Sequence, residues 1–195
     1  MMRGAKFVMA GLIGAAAMLG GLSGCVGWNV YPAMEGEHGF SNPNSDPMPT
    51  IMTEALKWVV VRYPPNERAE WTGGAPVVNE EAADGPFAVN LPKGLNRAVY
   101  TKIAENVGHG AVAMAPGNEG LPTYHISRLW VRGDEARVDL VRPVLGIPPG
   151  PDGRPATQGM TLRLRGGLEP WHVTSHNVWS LSTVPAPSLS YVPED

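Results

Sequence analysis

The chain has 195 residues, 15 of them basic and 18 acidic, and a single cysteine, Cys25. A net charge of −3 argues against nucleic acid as a partner, because phosphate backbones are held by an excess of Lys and Arg. One cysteine allows no internal disulfide, and 20 prolines with 24 glycines mean that much of the chain is loop.

The first segment carries Arg3 and Lys6, then no charge from Phe7 to Leu22, and closes on Leu22-Ser23-Gly24-Cys25. A basic n-region followed by an apolar h-region is the layout of a secretory signal. A permanent spanning helix needs roughly 20 mostly apolar residues; this run is shorter and diluted by Ala and Gly. The closing four residues resemble the lipobox of bacterial lipoproteins, and the resemblance covers residues 1–25 alone. It implies cleavage before Cys25, a diacylglyceryl thioether on its sulfur and, in many bacteria, a further acyl chain such as palmitate on the new amine. An ordinary signal peptide and an uncleaved signal anchor share the same charge pattern. Two or three acyl chains, at about 0.8 kcal/mol per buried methylene, hold a protein stably on a bilayer. The expected place is therefore the cell membrane or outer membrane, lipid-anchored, with the domain outside the cytoplasm in the periplasm or elsewhere in the cell envelope.

Removing Arg3 and Lys6 leaves 13 basic against 18 acidic residues, a charge of −5. Between Cys25 and Thr50 there is no Lys or Arg, so lipid alone would make the attachment. Residues 25–49, rich in Gly, Pro, Asn and Ser, read as a flexible tether that holds the domain roughly 25–30 Å from the bilayer. Residues 50–181 are expected to form a single α+β domain, and residues 182–195 a Pro/Ser-rich tail.

In chain order, a first helix is expected from Ile51 to Arg62, with Thr50 as N-cap, Glu54 in the first turn and Pro64-Pro65 as the stop. Its apolar face would be Ile51, Ala55, Trp58 and Val59. Trp71, Val77-Val78 and Phe87–Val89 read as short strands. Leu95, Val99, Ile103 and Val107 recur at helical spacing, which predicts a second helix from Pro92 to Val107 closed by Gly108.

From Ile126 to Val141 a hairpin is predicted around Gly133-Asp134. That turn sets Leu129 against Val138 and Val131 against Ala136 on one face. On the other it pairs Arg132 with Glu135, Trp130 with Arg137, and Arg128 with Asp139. Charge and apolar pairing thus support one register. A second hairpin is expected from Met160 to Trp179 with a four-residue loop, Gly166 to Glu169, and a long exposed loop joins the two from Pro143 to Gly159. This register turns Trp171, Val173, Ser175, Asn177 and Trp179 inward, Arg163 and His172 outward. Two helices and two consecutive hairpins predict an α+β fold, helices packed on a curved antiparallel sheet. The layout is similar to the cone-shaped NTF2-like domains of secreted bacterial proteins.

The chemistry-bearing residues are few. His172 and His176 would lie about 13 Å apart on a strand, too far to share a metal ion, and no metal or other cofactor is expected. Ser175, Asn177 and Trp179, with Ser127 nearby, are the candidate lining of a ligand pocket, against the plainer reading of solvated strand ends. The tryptophans suggest either a stacking platform or core; Trp130 alone falls on an outward face, between Arg128 and Arg132. The catalytic signatures G-x-S-x-G, H-E-x-x-H and S-x-x-K are absent. The expectation is a non-enzymatic envelope lipoprotein that binds a partner protein or small ligand. The alternatives are an envelope hydrolase using His109, His125 or His176, and a purely structural component.

Overall fold

The computed structural model describes residues 27–65, 85–145, 147–148 and 155–194. Cys25 and the signal segment lie outside the described residues, as do the expected strands at Trp71 and Val77-Val78. Among the described residues no helix is long and apolar enough to cross a membrane.

The elements run β1 (Asn29–Tyr31), α1 (Met48–Arg62), β2 (Phe87–Asn90), α2 (Arg97–Val107), β3 (Ala111–Ala113), β4 (Thr123–Arg132), β5 (Glu135–Pro143), β6 (Thr157–Arg165) and β7 (His172–Leu181). The class is α+β, two helices packed with an open sheet of order β3-β2-β4-β5-β6-β7, β1 joining beside β4. β4 to β7 form the antiparallel meander, while β2 runs parallel to both β3 and β4. Parallel neighbours require a long crossover, and α2 supplies it between β2 and β3. The sheet is thus mixed at one edge, a feature absent from the expected antiparallel sheet.

α1 buries Met48, Ile51, Met52, Ala55, Leu56, Val59 and Val60, the larger side chains each contributing about 1.5–3 kcal/mol when removed from water. It begins one turn earlier than expected. Pro47 occupies the N-cap and Pro49 the first turn, where a missing N–H has no intrahelical partner to lose. Thr50 is therefore not the cap; its hydroxyl donates to Asp46 Oδ1 at 2.8 Å. Trp58 is only partly buried. α2 starts at Arg97 instead of Pro92, because Asn96 accepts from the Val99 N–H at 2.9 Å and caps it. Tyr100, Ile103, Ala104 and Val107 form its buried face.

The first hairpin has the expected register from Arg132 opposite Glu135 to Arg128 opposite Asp139; beyond it a bulge at Ser127 sets Ile126 opposite Leu140 rather than Val141. The second differs. Leu164 lies opposite Val173, Arg163 opposite Ser175 and Leu162 opposite His176. Thr174 is the extra residue of a β-bulge, and one inserted residue exchanges the two faces of everything beyond it. Ser175, Asn177 and Trp179, expected inward, therefore face away from the helices. Trp171 lies in the loop rather than opposite Leu164 and closes against Gly166. The joining loop is also shorter than expected, since β5 and β6 stay paired out to Pro143 and Thr157.

Two segments expected to be loose are part of the fold. Within the predicted tether, β1 pairs with β4, and the buried Tyr31 donates its hydroxyl to Lys93 O at 2.7 Å. Asn44 accepts from the Asn96 N–H at 2.6 Å and donates to Gly94 O at 3.1 Å. The predicted tail, residues 182–194, crosses the sheet face opposite the helices. Val184 sits over Gly159, Asn90 binds the backbone of Ser188 and Ser190, and the Val192 N–H donates to Met114 O at 2.8 Å. Crossing from β7 to β3 spans five strand spacings, roughly 24 Å. Ten extended residues reach about 33 Å, so the segment is long enough. Pro185 and Pro187 keep it from becoming a strand.

Gly108, His109 and Gly110 all have positive φ, and Gly110 packs against Gly85 so closely that an added Cβ would lie well inside contact distance of its carbonyl. Gly110→Ala is expected to lower stability by at least about 3 kcal/mol. Gly117→Ala, also at positive φ but in open space, should cost only about 1 kcal/mol. Urea midpoints of the two variants check the difference.

Candidate functional site

The meander gives the outer sheet face two parts. Toward one end lie Asn90, His125, Val141 and Gly159, all beneath the C-terminal strap; Val141, directly opposite Gly159, is 0% exposed. Toward the other end the face is open and polar. Two rows cross it: Trp130, Arg137, Arg163 and Ser175 on successive strands, then Arg128, Asp139, Thr161 and Asn177.

Trp130 lies between two guanidiniums, Arg137 at 4.4 Å and Arg128 at 5.6 Å from its ring centre, an arrangement favoured by the ring quadrupole. The expected neighbour Arg132 instead covers Trp28 at 4.7 Å. Asp139 receives Arg137 in a two-pronged pair at 2.9 and 3.2 Å and the Thr161 hydroxyl at 2.7 Å. Thr161 in turn accepts from the Trp179 indole N–H at 3.2 Å. This chain of bonds fixes the indole of a residue that is 46% exposed.

Trp179 is shared by two hollows. One, of about 320 Å³, is lined by Ser127, Arg128, Trp130, Asp139 and Val184 among others. The second, of about 330 Å³, is lined by Arg137, Thr161, Arg163, Ser175, Asn177 and Trp179 together with His176. The candidate residues Ser127, Ser175 and Asn177 thus come together around the indole of the fourth, Trp179, with Ser175, Asn177 and Trp179 of β7 on the face opposite to that expected. Sequence does not single out Thr161, and it marks Arg163 and Asp139 only by their outward face and strand pairing. The β5–β6 register, which places Arg163 beside Arg137 and Thr161 beside Asp139, brings them into one site. A wider cleft of about 480 Å³ lies between α1 and α2, but its Asp46 accepts from Thr50 and its Glu54 pairs with Lys57.

The histidines of the hydrolase alternative are spread apart. His176 meets Trp58 in a tilted ring contact, centres 4.8 Å apart, on the helix side. His172 contacts the Pro170 carbonyl. His109 occupies the left-handed turn after α2. Among the described residues no group of three or more His, Cys, Asp or Glu is placed to hold a metal ion.

His125 is 6% exposed, and burial pulls its pKa down from 6.5 to about 4. The neutral ring accepts at Nδ1 from the Asn90 amide at 2.9 Å, and the same amide group donates to Ser188 O while its carbonyl accepts from the Ser190 N–H. Tyr100, its pKa pushed up to about 12 by burial, shares its hydroxyl proton between the carbonyls of Val89 and Ser190. These bonds fasten the strap.

The chain matches no protein-family model, and comparisons with curated proteins and with solved structures find no match.

A folded-state pKa below the unfolded one means that the unfolded chain takes up the proton first. The contribution of His125 is therefore complete above pH 6.5 and declines as the pH falls toward 4, amounting to about 3 kcal/mol in all. Urea denaturation at pH 7 and pH 4.5 should show this loss, reduced in a His125→Gln variant. Strap backbone amides near Ser190 should exchange faster at the lower pH, after correction for intrinsic rates.

Proposed function

We propose that this chain is a lipid-anchored cell-envelope protein whose open sheet face binds a ligand without chemical turnover. The observation that carries the binding half is the Trp179 indole, held by Thr161, exposed, and bordered on both sides by hollows that contain the short polar side chains of Ser127, Ser175 and Asn177. Ligand sites combine an apolar or aromatic wall with a few convergent polar groups. Tryptophan is enriched at contact surfaces because its ring is apolar while its N–H keeps a hydrogen-bond partner, as the Trp179 N–H does with Thr161. The anchoring half rests on the lipobox-like sequence ending at Cys25.

With β1 built into the sheet from Asn29 onward, the lipidated residue would stand only four positions from the domain. The binding face would then be held close to the bilayer rather than at the end of a long tether. Such proximity suits a ligand that is itself part of the envelope.

Two measurements test the proposal. Intact mass and membrane fractionation of the expressed precursor are expected to show loss of the residues before Cys25, added lipid mass and membrane association, all abolished by Cys25→Ala; an unlipidated, soluble wild type would overturn the anchor. Hydrogen exchange of the protein in native envelopes and after purification is expected to show extra protection in envelopes at Thr161–Arg163 and Ser175–Trp179. Equal exchange in both states would overturn the binding face.

A further inference from the structure

We propose that the hollow beside Arg163 seats an anionic sugar, its carboxylate on the Arg163 guanidinium and its ring against the Trp179 indole. The inference rests on the reading of the open sheet face as the binding surface. It begins from an imbalance of charge: Arg137 and Arg163 lie directly opposite each other on β5 and β6, and opposed like charges weaken a sheet.

On this face Arg132 has Glu135 at 2.7 Å, Arg165 has Asp134 at 3.4 Å and Arg137 has Asp139 at 2.9 Å. Among the described residues two guanidiniums of this face have no carboxylate partner: Arg128, which lies against Trp130, and Arg163, which is exposed and lines the hollow. A guanidinium is a planar fork that matches a carboxylate in two parallel hydrogen bonds. A single carboxylate would neutralise the charge of Arg163, the one guanidinium of the two that opens into this hollow. A phosphate dianion would bring a second negative charge near Asp139.

The surroundings favour a sugar over a simple acid. Ser175, directly opposite Arg163, and Asn177, opposite Thr161, offer hydroxyl and carboxamide groups that both donate and accept, as a polyhydroxylated ring requires. The indole supplies a rigid wall whose orientation is already set by its bond to Thr161, so little freedom is lost on binding. At about 330 Å³ the hollow falls at the lower end of the range for small-ligand sites, about 300–1,000 Å³.

The test uses the full-length protein in detergent micelles, titrated calorimetrically with trigalacturonic acid, neutral maltotriose and glucose 6-phosphate. Trigalacturonic acid is expected to bind in preference to the other two and to weaken as salt rises. Arg163→Gln should reduce its affinity about tenfold or more, Trp179→Phe should also weaken it, and Arg165→Gln should leave it unchanged. Because Arg163→Gln removes a like-charge contact, its thermal midpoint should stay equal or rise, which separates lost binding from lost folding. Equal binding of maltotriose, tighter binding of glucose 6-phosphate, or an Arg163→Gln variant that binds like wild type would overturn the inference. If none of the sugars binds while native envelopes still protect Ser175–Trp179, the anionic-sugar assignment falls and the binding face stands.

Discussion

The pairing of β4 with β5 carries the rest of the sheet. β4 supports β2 along its first residues and β1 along its last, while β5 passes its register on to β6 and thence to β7. Its own register is over-determined, since Leu129 against Val138 and Val131 against Ala136 build the core face while the Arg132–Glu135 ion pair and Arg137 over Trp130 join the strands on the other. A slip by one residue would exchange these faces and expose the core. The helices then cover one side of a surface whose geometry is already fixed.

The other side is divided by the strap. Where it crosses, the sheet can be apolar or neutral: Val141 is fully buried, Gly159 leaves space for Val184, and His125 stays uncharged against Asn90. Where it does not cross, the sheet carries Arg, Asp, Thr, Ser, Asn and Trp side chains bonded to one another or facing water. The C-terminal segment therefore has a structural role that its composition conceals. It converts half of an exposed sheet face into a second core and confines the candidate site to the other half.

The candidate site in turn depends on one inserted residue. Without the bulge at Thr174, Ser175, Asn177 and Trp179 would point toward α1 and the hollow beside Arg163 would lose most of its lining. With it, His176 turns to the helix side and meets Trp58 at 4.8 Å, while three polar or amphipathic groups reach the open face. The indole, Thr161, Asp139 and Arg137 then form a continuous bonded row that orders the site before any ligand arrives.

The sequence by itself determined the α+β class, the register of the first hairpin from Arg128 to Arg132 and part of the buried face of each helix, Ile51, Ala55 and Val59 on α1 and Ile103 and Val107 on α2. All of these follow from local periodicity and turn chemistry, which act over a few residues. It also contained Trp179 and the three residues that gather around it, Ser127, Ser175 and Asn177, although with the wrong face assigned to Ser175, Asn177 and Trp179 of β7. Alternation along a strand reports relative orientation only, and a bulge changes it without any marked signature in composition. Tertiary structure alone decided the parallel edge, the incorporation of residues 29–47 and the course of the strap. These depend on backbone bonds between positions as distant as Asn90 and Ser190 or Asn44 and Asn96. Prolines and serines that read locally as loose chain become ordered when a distant side chain satisfies their backbone groups, and no local pattern encodes that meeting.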